Sequence, residues 1–203
     1  MDLRSHLITD AQYFYQQGWM LGTAGNLSAR LPDGSFWITA SGRMKGALTL
    51  DDFVRVDADG RVEAPSGLKP SAETVIHQTL YQRFSESQAC YHVHSVEANL
   101  VSRFEFTENI PLPPLEMLKG LGIWTENPQC MIAVFPNHLK VEQIAVAIAQ
   151  RFAVEPPAVP ALLIRDHGLT VWAPSTSSAR NFVELLEYIF RYMVVTRQLK
   201  LGE

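Results

Sequence analysis

The stretch CYHVHSVEANLVS, Cys90 to Ser102, puts two histidines two residues apart in a short apolar run and follows them with a serine. In a strand, residues i and i+2 face the same side. His92 and His94 would then stand together, with α-carbons roughly 6.6 Å apart. Two ring nitrogens so placed could close on one ion at about 2.0–2.1 Å. A helix with the same spacing would send the rings to nearly opposite sides. The plainer reading is a pair of hydrogen-bonded histidines in a half-buried strand, and the pair alone does not decide between the two. "EANLVSRF" then reads as a helix.

Working outward, Leu3, Leu7, Ala11, Phe14, Tyr15 and Trp19 recur at helical spacing, which predicts a helix from Asp2 to about Trp19. "GTAGNLSARLPDGSFWITASG" reads as two strands joined at "PDG", and "FVRVDADGRVEA" as a second hairpin. "KPSAETVIHQTLYQRF" predicts a helix starting near Ser71. Downstream, "NIPLPPLEMLKGLG" looks like a shaped loop with a short helical turn, and "CMIAVF" like a buried strand. "HLKVEQIAVAIAQRF" is an amphipathic helix, and "ALLIRDHGLTVWA" two strands meeting near His167 and Gly168. A long helix capped by Ser175 or Thr176 closes the order. Strands, hairpins and helices so mixed predict a largely antiparallel sheet covered by helices.

The 203 residues suit one domain spanning 1–203, large enough to bury a core without disulfides. A net charge of −4 gives no basic excess, so nucleic acid is not an expected partner. Two cysteines, Cys90 and Cys130, form no disulfide framework and fit a reducing compartment. The first residues are too polar for a signal peptide, and no apolar run nears the roughly 20 residues of a membrane span. A soluble, cytoplasmic protein is the expectation.

For a third ligand, His167 sits where two apolar strands meet, with Gly168 beside it to permit a bend. Three neutral imidazoles leave open positions for a substrate, as catalytic zinc requires. Spacing does not select His167, since 73 residues separate it from His94. His6, His77 and His138 fall on apparent helices among polar neighbours and are expected to be exposed.

"GTAGNLSARL", "ITASGRMKG", "KPSAETVIHQTLY", "HVHSVEANLV" and "RDHGLTVWA" occur in the order and spacing of the class II (metal-dependent) aldolases, and the chain resembles that family over nearly its whole length. Within it, "EMLKG" after the HxH strand resembles the methylthioribulose-1-phosphate dehydratases of methionine salvage. The resemblance implies a three-layer α/β fold with a predominantly antiparallel central sheet flanked by helices. It implies a homotetramer with sites at subunit interfaces, and one zinc ion per subunit on His92, His94 and His167. It implies a ketose phosphate substrate.

Glu116 matches the subfamily's acid/base residue; by itself it reads as a solvated loop glutamate. Glu73 matches the acid/base of related sugar-phosphate aldolases, although a carboxylate in a first helical turn is also favoured by the helix dipole. For the phosphate, the resemblance carries over Gly25, Asn26, Ser41, Gly42 and Ser71, the last a hydroxyl at a helix N-terminus. Each of these loops is otherwise an ordinary turn, and none is a nucleotide motif. Lys119 and Lys45 could add positive charge there, and Leu115 or Met117 could line a methylthio pocket. An aldolase or pentulose-phosphate 4-epimerase using the same imidazoles, and a metal-stapled scaffold without activity, remain as other readings.

Overall fold

The structure, a computed structural model, describes residues 2–64, 67–104 and 108–200. Helix α1 (Leu3–Gln16) starts at Asp2, whose carboxylate accepts from the Arg4 N–H. Strands β1 (Asn26–Arg30) and β2 (Phe36–Thr39) pair antiparallel across the "PDG" turn. There Asp33 accepts from the Ser35 backbone N–H and side-chain hydroxyl. Strands β3 (Phe53–Val56) and β4 (Val62–Glu63) extend this side as the second hairpin. Helix α2 (Thr74–Arg83) leads to β5 (Ala89–Val93) and α3 (Val96–Val101).

The remaining elements are β6 (Asn109–Leu112), a 3-10 turn at Glu116–Leu121, β7 (Cys130–Phe135), α4 (Val141–Val154), β8 (Ala161–Ile164), β9 (Gly168–Ala173) and α5 (Thr176–Gln198). Ser175 caps α5 by accepting from the Ser178 N–H.

The nine strands form one sheet in the order β4-β3-β2-β1-β5-β9-β8-β7-β6. Every neighbouring pair is antiparallel except β7 and β8. Alternation along β5 splits the core. Tyr91 and Val93 pack with α1, α3 and α5, whereas Cys90 packs with α2 and α4. Helices thus cover both faces, the three-layer arrangement expected. Tyr91 is fully buried, and its hydroxyl donates to Asp10 at 2.6 Å, so the ring fills the core without stranding a polar atom.

The expected loop "NIPLPP" differs. Its first four residues form β6, paired to β7 with Pro111 opposite Met131. Proline gives no N–H to a ladder, and β6 lies at the sheet edge, where one side needs none. Two histidines also differ from expectation. His77 is fully buried on α2, and His138 is exposed but lies in the segment before α4 rather than on a helix. His6 is half-buried, with Nδ1 3.3 Å from the Thr176 hydroxyl. No helix among the described residues is long and apolar enough to cross a membrane.

Candidate metal centre

β5 ends one residue before His94, whose backbone N–H turns out of the ladder to donate to the Trp19 carbonyl at 2.8 Å. The side chains of His92 and His94 nonetheless stay on one side, with Nε2 atoms 2.8 Å apart. His167, in the β8–β9 turn, brings its Nε2 to 3.4 Å from that of His92. The three rings meet edge to face, with centroids 4.6–4.8 Å apart.

Gly168 is what lets them meet. A Cβ there would lie 2.2 Å from the Val93 carbonyl oxygen and 3.1 Å from His94 Cδ2. The need is for close approach rather than for the bend expected of it. The left-handed residue in this turn is Asp166, at φ 55°.

Glu73 completes the group from the start of α2. Its Oε1 lies 2.7 Å from His167 Nε2 and 3.5 Å from His92 Nε2. Its other oxygen accepts a short hydrogen bond from the Asn26 amide. It holds the N-cap position, yet its side chain makes no capping bond and turns to the imidazoles instead. Glu73, His92, His94 and His167 offer ligand atoms all within 4.8 Å of one another, and among the described residues this is the one such group.

The donor set fits a divalent ion. Nitrogens bound at about 2.0–2.1 Å in tetrahedral geometry stand about 3.3 Å apart, close to the spacings here. Burial pulls His92 well below the ordinary histidine range and His94 down to about 4. Both rings are therefore neutral, as ligation requires. Burial would push the Glu73 carboxyl up, but it lies below the ordinary carboxylate range through its close contacts with the His92, His167 and His94 ring nitrogens. His92 Nδ1 lies 2.8 Å from the Thr170 hydroxyl, its cross-strand neighbour, which leaves Nε2 as the atom turned to the group. His167 Nδ1 is buried without a hydrogen-bond partner among the described residues.

The three segments with small and hydroxylated residues come together beside this group. The Lys45 N–H donates to the Gly22 carbonyl, Ala40 bridges to Pro70, and the Ser41 N–H donates to the Lys69 carbonyl. Asn26 reaches Glu73, and the Ser71 hydroxyl accepts from the Glu73 N–H at 3.3 Å. Gly25 has φ +74°, and a Cβ there would lie 2.7 Å from the His92 carbonyl oxygen, so glycine is required. Gly42 is exposed with φ +72° and nothing near its missing Cβ. Asn26 is 1% exposed and spends its amide on Glu73, so its side chain supports the carboxylate.

Glu116 and Lys119 stand elsewhere. They lie on the 3-10 turn against α5, where Lys119 Nζ donates to Glu116 at 2.7 Å and sits 5.7 Å from the Trp124 ring centre. The Glu116 side chain is 80% exposed. Leu115 and Met117 pack half-buried against the α5 side of the core.

Thr170 went unread in the sequence, and Lys45 and His77 are placed otherwise than expected. Thr170 supports His92. Lys45 is buried rather than free. His77, pulled down to about 4 by burial, lies 2.7 Å from the Ser28 hydroxyl, which also meets Tyr81 at 2.7 Å. A signal existed for the last: Glu73, His77 and Tyr81 recur every four residues, so they share one helix face.

Known proteins resemble the chain over most of its length. A protein of Microcystis aeruginosa named methylthioribulose-1-phosphate dehydratase is 59% identical over 201 residues, 98% of each chain. One of the same name from Enterobacter sp. (strain 638) is 39% identical, covering 97% of this chain and 96% of its own. Among solved structures, YgbL of Escherichia coli is 28% identical with a TM-score of 0.81, over 96% of this chain and 89% of YgbL. L-fuculose-1-phosphate aldolase of Thermus thermophilus shares the fold at 24% identity and a TM-score of 0.77, over 99% and 97%. With residues 5–194 also matching the family's own pattern, the chain belongs to the class II aldolase and adducin N-terminal domain family.

Proposed function

We propose that the chain is a zinc-dependent hydro-lyase that converts 5-methylthioribulose 1-phosphate to 2,3-diketo-5-methylthiopentyl 1-phosphate in methionine salvage. The observation that carries this is the convergence of His92, His94 and His167 in a chain 59% identical, end to end, to a protein bearing the dehydratase name. The substrate has a C2 carbonyl and hydroxyls at C3 and C4; the reaction takes a proton from C3 and hydroxide from C4.

A divalent ion held by the three imidazoles supplies Lewis acidity that makes the C3 proton removable. The chain's own residues do the rest. His92 and His94 stay neutral, and all three rings offer Nε2. Thr170 fixes the His92 ring. The turns at Gly25–Asn26 and Ser41–Gly42, with Ser71, hold the phosphate. Glu116, released from Lys119, takes the C3 proton and delivers one to the departing C4 oxygen. The C3–H pair becomes the C3–C4 double bond as the C4–O bond breaks, water leaves, and the enol tautomerises to the diketone. Lys119 then faces the substrate's anionic end. Active sites shared between subunits of a homotetramer would bring the exposed Glu116 turn toward a neighbour's centre, and a reducing cytoplasm suits the free cysteines Cys90 and Cys130.

Glu73 favours a second reading, because a carboxylate against the imidazoles is already placed for proton transfer. An aldolase would split C3–C4 to give dihydroxyacetone phosphate and a two-carbon methylthio aldehyde, and a 4-epimerase would rejoin the halves. Incubating the zinc-loaded protein with 5-methylthioribulose 1-phosphate separates these. The diketone supports the dehydratase; the two fragments or the epimer would replace it with the second reading.

A further inference from the structure

Lys45 is a lysine where a lysine is costly. It is 2% exposed, follows Met44 into a one-turn 3-10 segment, and ranks with the core phenylalanines among the fully buried large side chains. Its Nζ donates to the Thr23 carbonyl at 2.8 Å and the Arg43 carbonyl at 3.0 Å, while its backbone N–H donates to Gly22. One side chain thus ties the turn before Asn26 to the turn after Ser41. Burying an ammonium is expensive unless something uses the charge. Two backbone carbonyls could be held by a neutral amide at lower cost. Burial pulls the lysine down to about 8, while the Glu73 carboxylate raises it; the same ammonium lies within electrostatic reach of His94.

We propose that Lys45 is a positioning residue for the substrate's phosphate: it locks the 22–26 and 41–44 turns together and places a fixed positive charge behind them. This role rests on the reading that these turns hold a phosphate. The hydroxyl-bearing Thr23 and Ser41 stand exposed on these turns, and an anion seated on them gains from the buried cation, which water screens poorly. Lys45 acts through the turns and its charge rather than by contact, which differs from a surface lysine that reaches out to an anion.

The test is calorimetric binding of inorganic phosphate to the zinc-loaded wild-type protein, Lys45→Met and Lys45→Gln, with zinc content and thermal midpoint measured on each. Lys45→Gln removes the charge and keeps N–H donors on a side chain one atom shorter, and Lys45→Met removes both charge and donors. The expected result is phosphate binding weakened tenfold or more in both variants at unchanged zinc content, and KM for the phosphorylated substrate raised more than kcat is lowered. Wild-type affinity in a folded variant would overturn the proposal. So would failure of both variants to fold, which would make Lys45 a purely structural residue. A wild-type protein that binds no phosphate would remove the cradle and the proposal together. One that binds phosphate but yields no diketone would remove only the dehydratase reading.

Discussion

Thr170 and His92 face one another across the β5–β9 ladder, and a 2.8 Å contact between hydroxyl and Nδ1 decides which ring nitrogen looks into the site. Removing that partner costs typically 10–100-fold in metal affinity. Thr170→Val keeps the shape and loses the hydroxyl, so zinc affinity should fall by about tenfold or more. Competition against a chromophoric chelator measures this; an unchanged constant would show that packing alone orients the ring. Glu116 is argued at the same scale. Glu116→Gln should bind zinc like the wild-type protein and lose roughly 10²–10⁴ of turnover, the usual contribution of a general acid–base. Near-normal turnover would transfer the proton chemistry to Glu73. The HxH spacing made His92 and His94 readable from sequence, because period two is local. Thr170 and Asn26 were not readable as supports, since their partners lie 78 and 47 residues away, the first set by strand register and the second by where α2 starts.

At the scale of elements, α5 carries an oddity unrelated to the imidazoles. Glu187 is 3% exposed, and neither carboxylate oxygen has a hydrogen-bond partner among the described residues. Burial pushes its pKa up to about 8, the nearby Ser95 hydroxyl pulls it down somewhat, and Glu97 pushes it up again. Ser95 lies near without making a bond of proper geometry; its oxygen accepts from the Ala98 N–H.

The folded chain therefore keeps a proton that an unfolded chain has released above about 4.5, so folding binds a proton between pH 4.5 and 8. Stability from this group is present below that window and lost as pH rises through it. Glu187→Met should flatten that part of the profile and add stability on the order of 3 kcal/mol at pH 8.5. Urea unfolding of both proteins at pH 6 and 8.5 checks it; equal losses on going to the higher pH would contradict the buried acid.

Element types were largely readable, because hairpin turns, caps and helical spacing are local signals. β6 was hidden because Pro111 argues against a strand unless its edge position is known. His77 was misjudged because its polar neighbours in sequence are not its neighbours in space. It sits against Ser28 and Tyr81 beneath the sheet.

For the whole molecule, the motifs "GTAGN", "TASG", "KPSAE", "HVHS" and "RDHG" are far apart in sequence, and the sheet gathers them. β5 lies between β1 and β9, so the ends carrying Asn26, His92 and the His167 turn adjoin. That order pairs segments more than 60 residues apart, which no local periodicity encodes. The third imidazole was accordingly supplied by family resemblance rather than by spacing. Glu116 stands apart from them, since its turn packs against α5 while the imidazoles face α2. Its proposed role therefore calls for a site shared between subunits.

X-ray absorption at the zinc edge of the purified protein tests the centre most directly. Three imidazoles and one or two oxygens at about 2.0–2.1 Å are predicted, with the outer-shell scattering of three histidine rings and about one zinc per chain. A protein that holds no zinc, or whose bound zinc shows sulfur neighbours or fewer than three rings, would contradict a centre built on His92, His94 and His167.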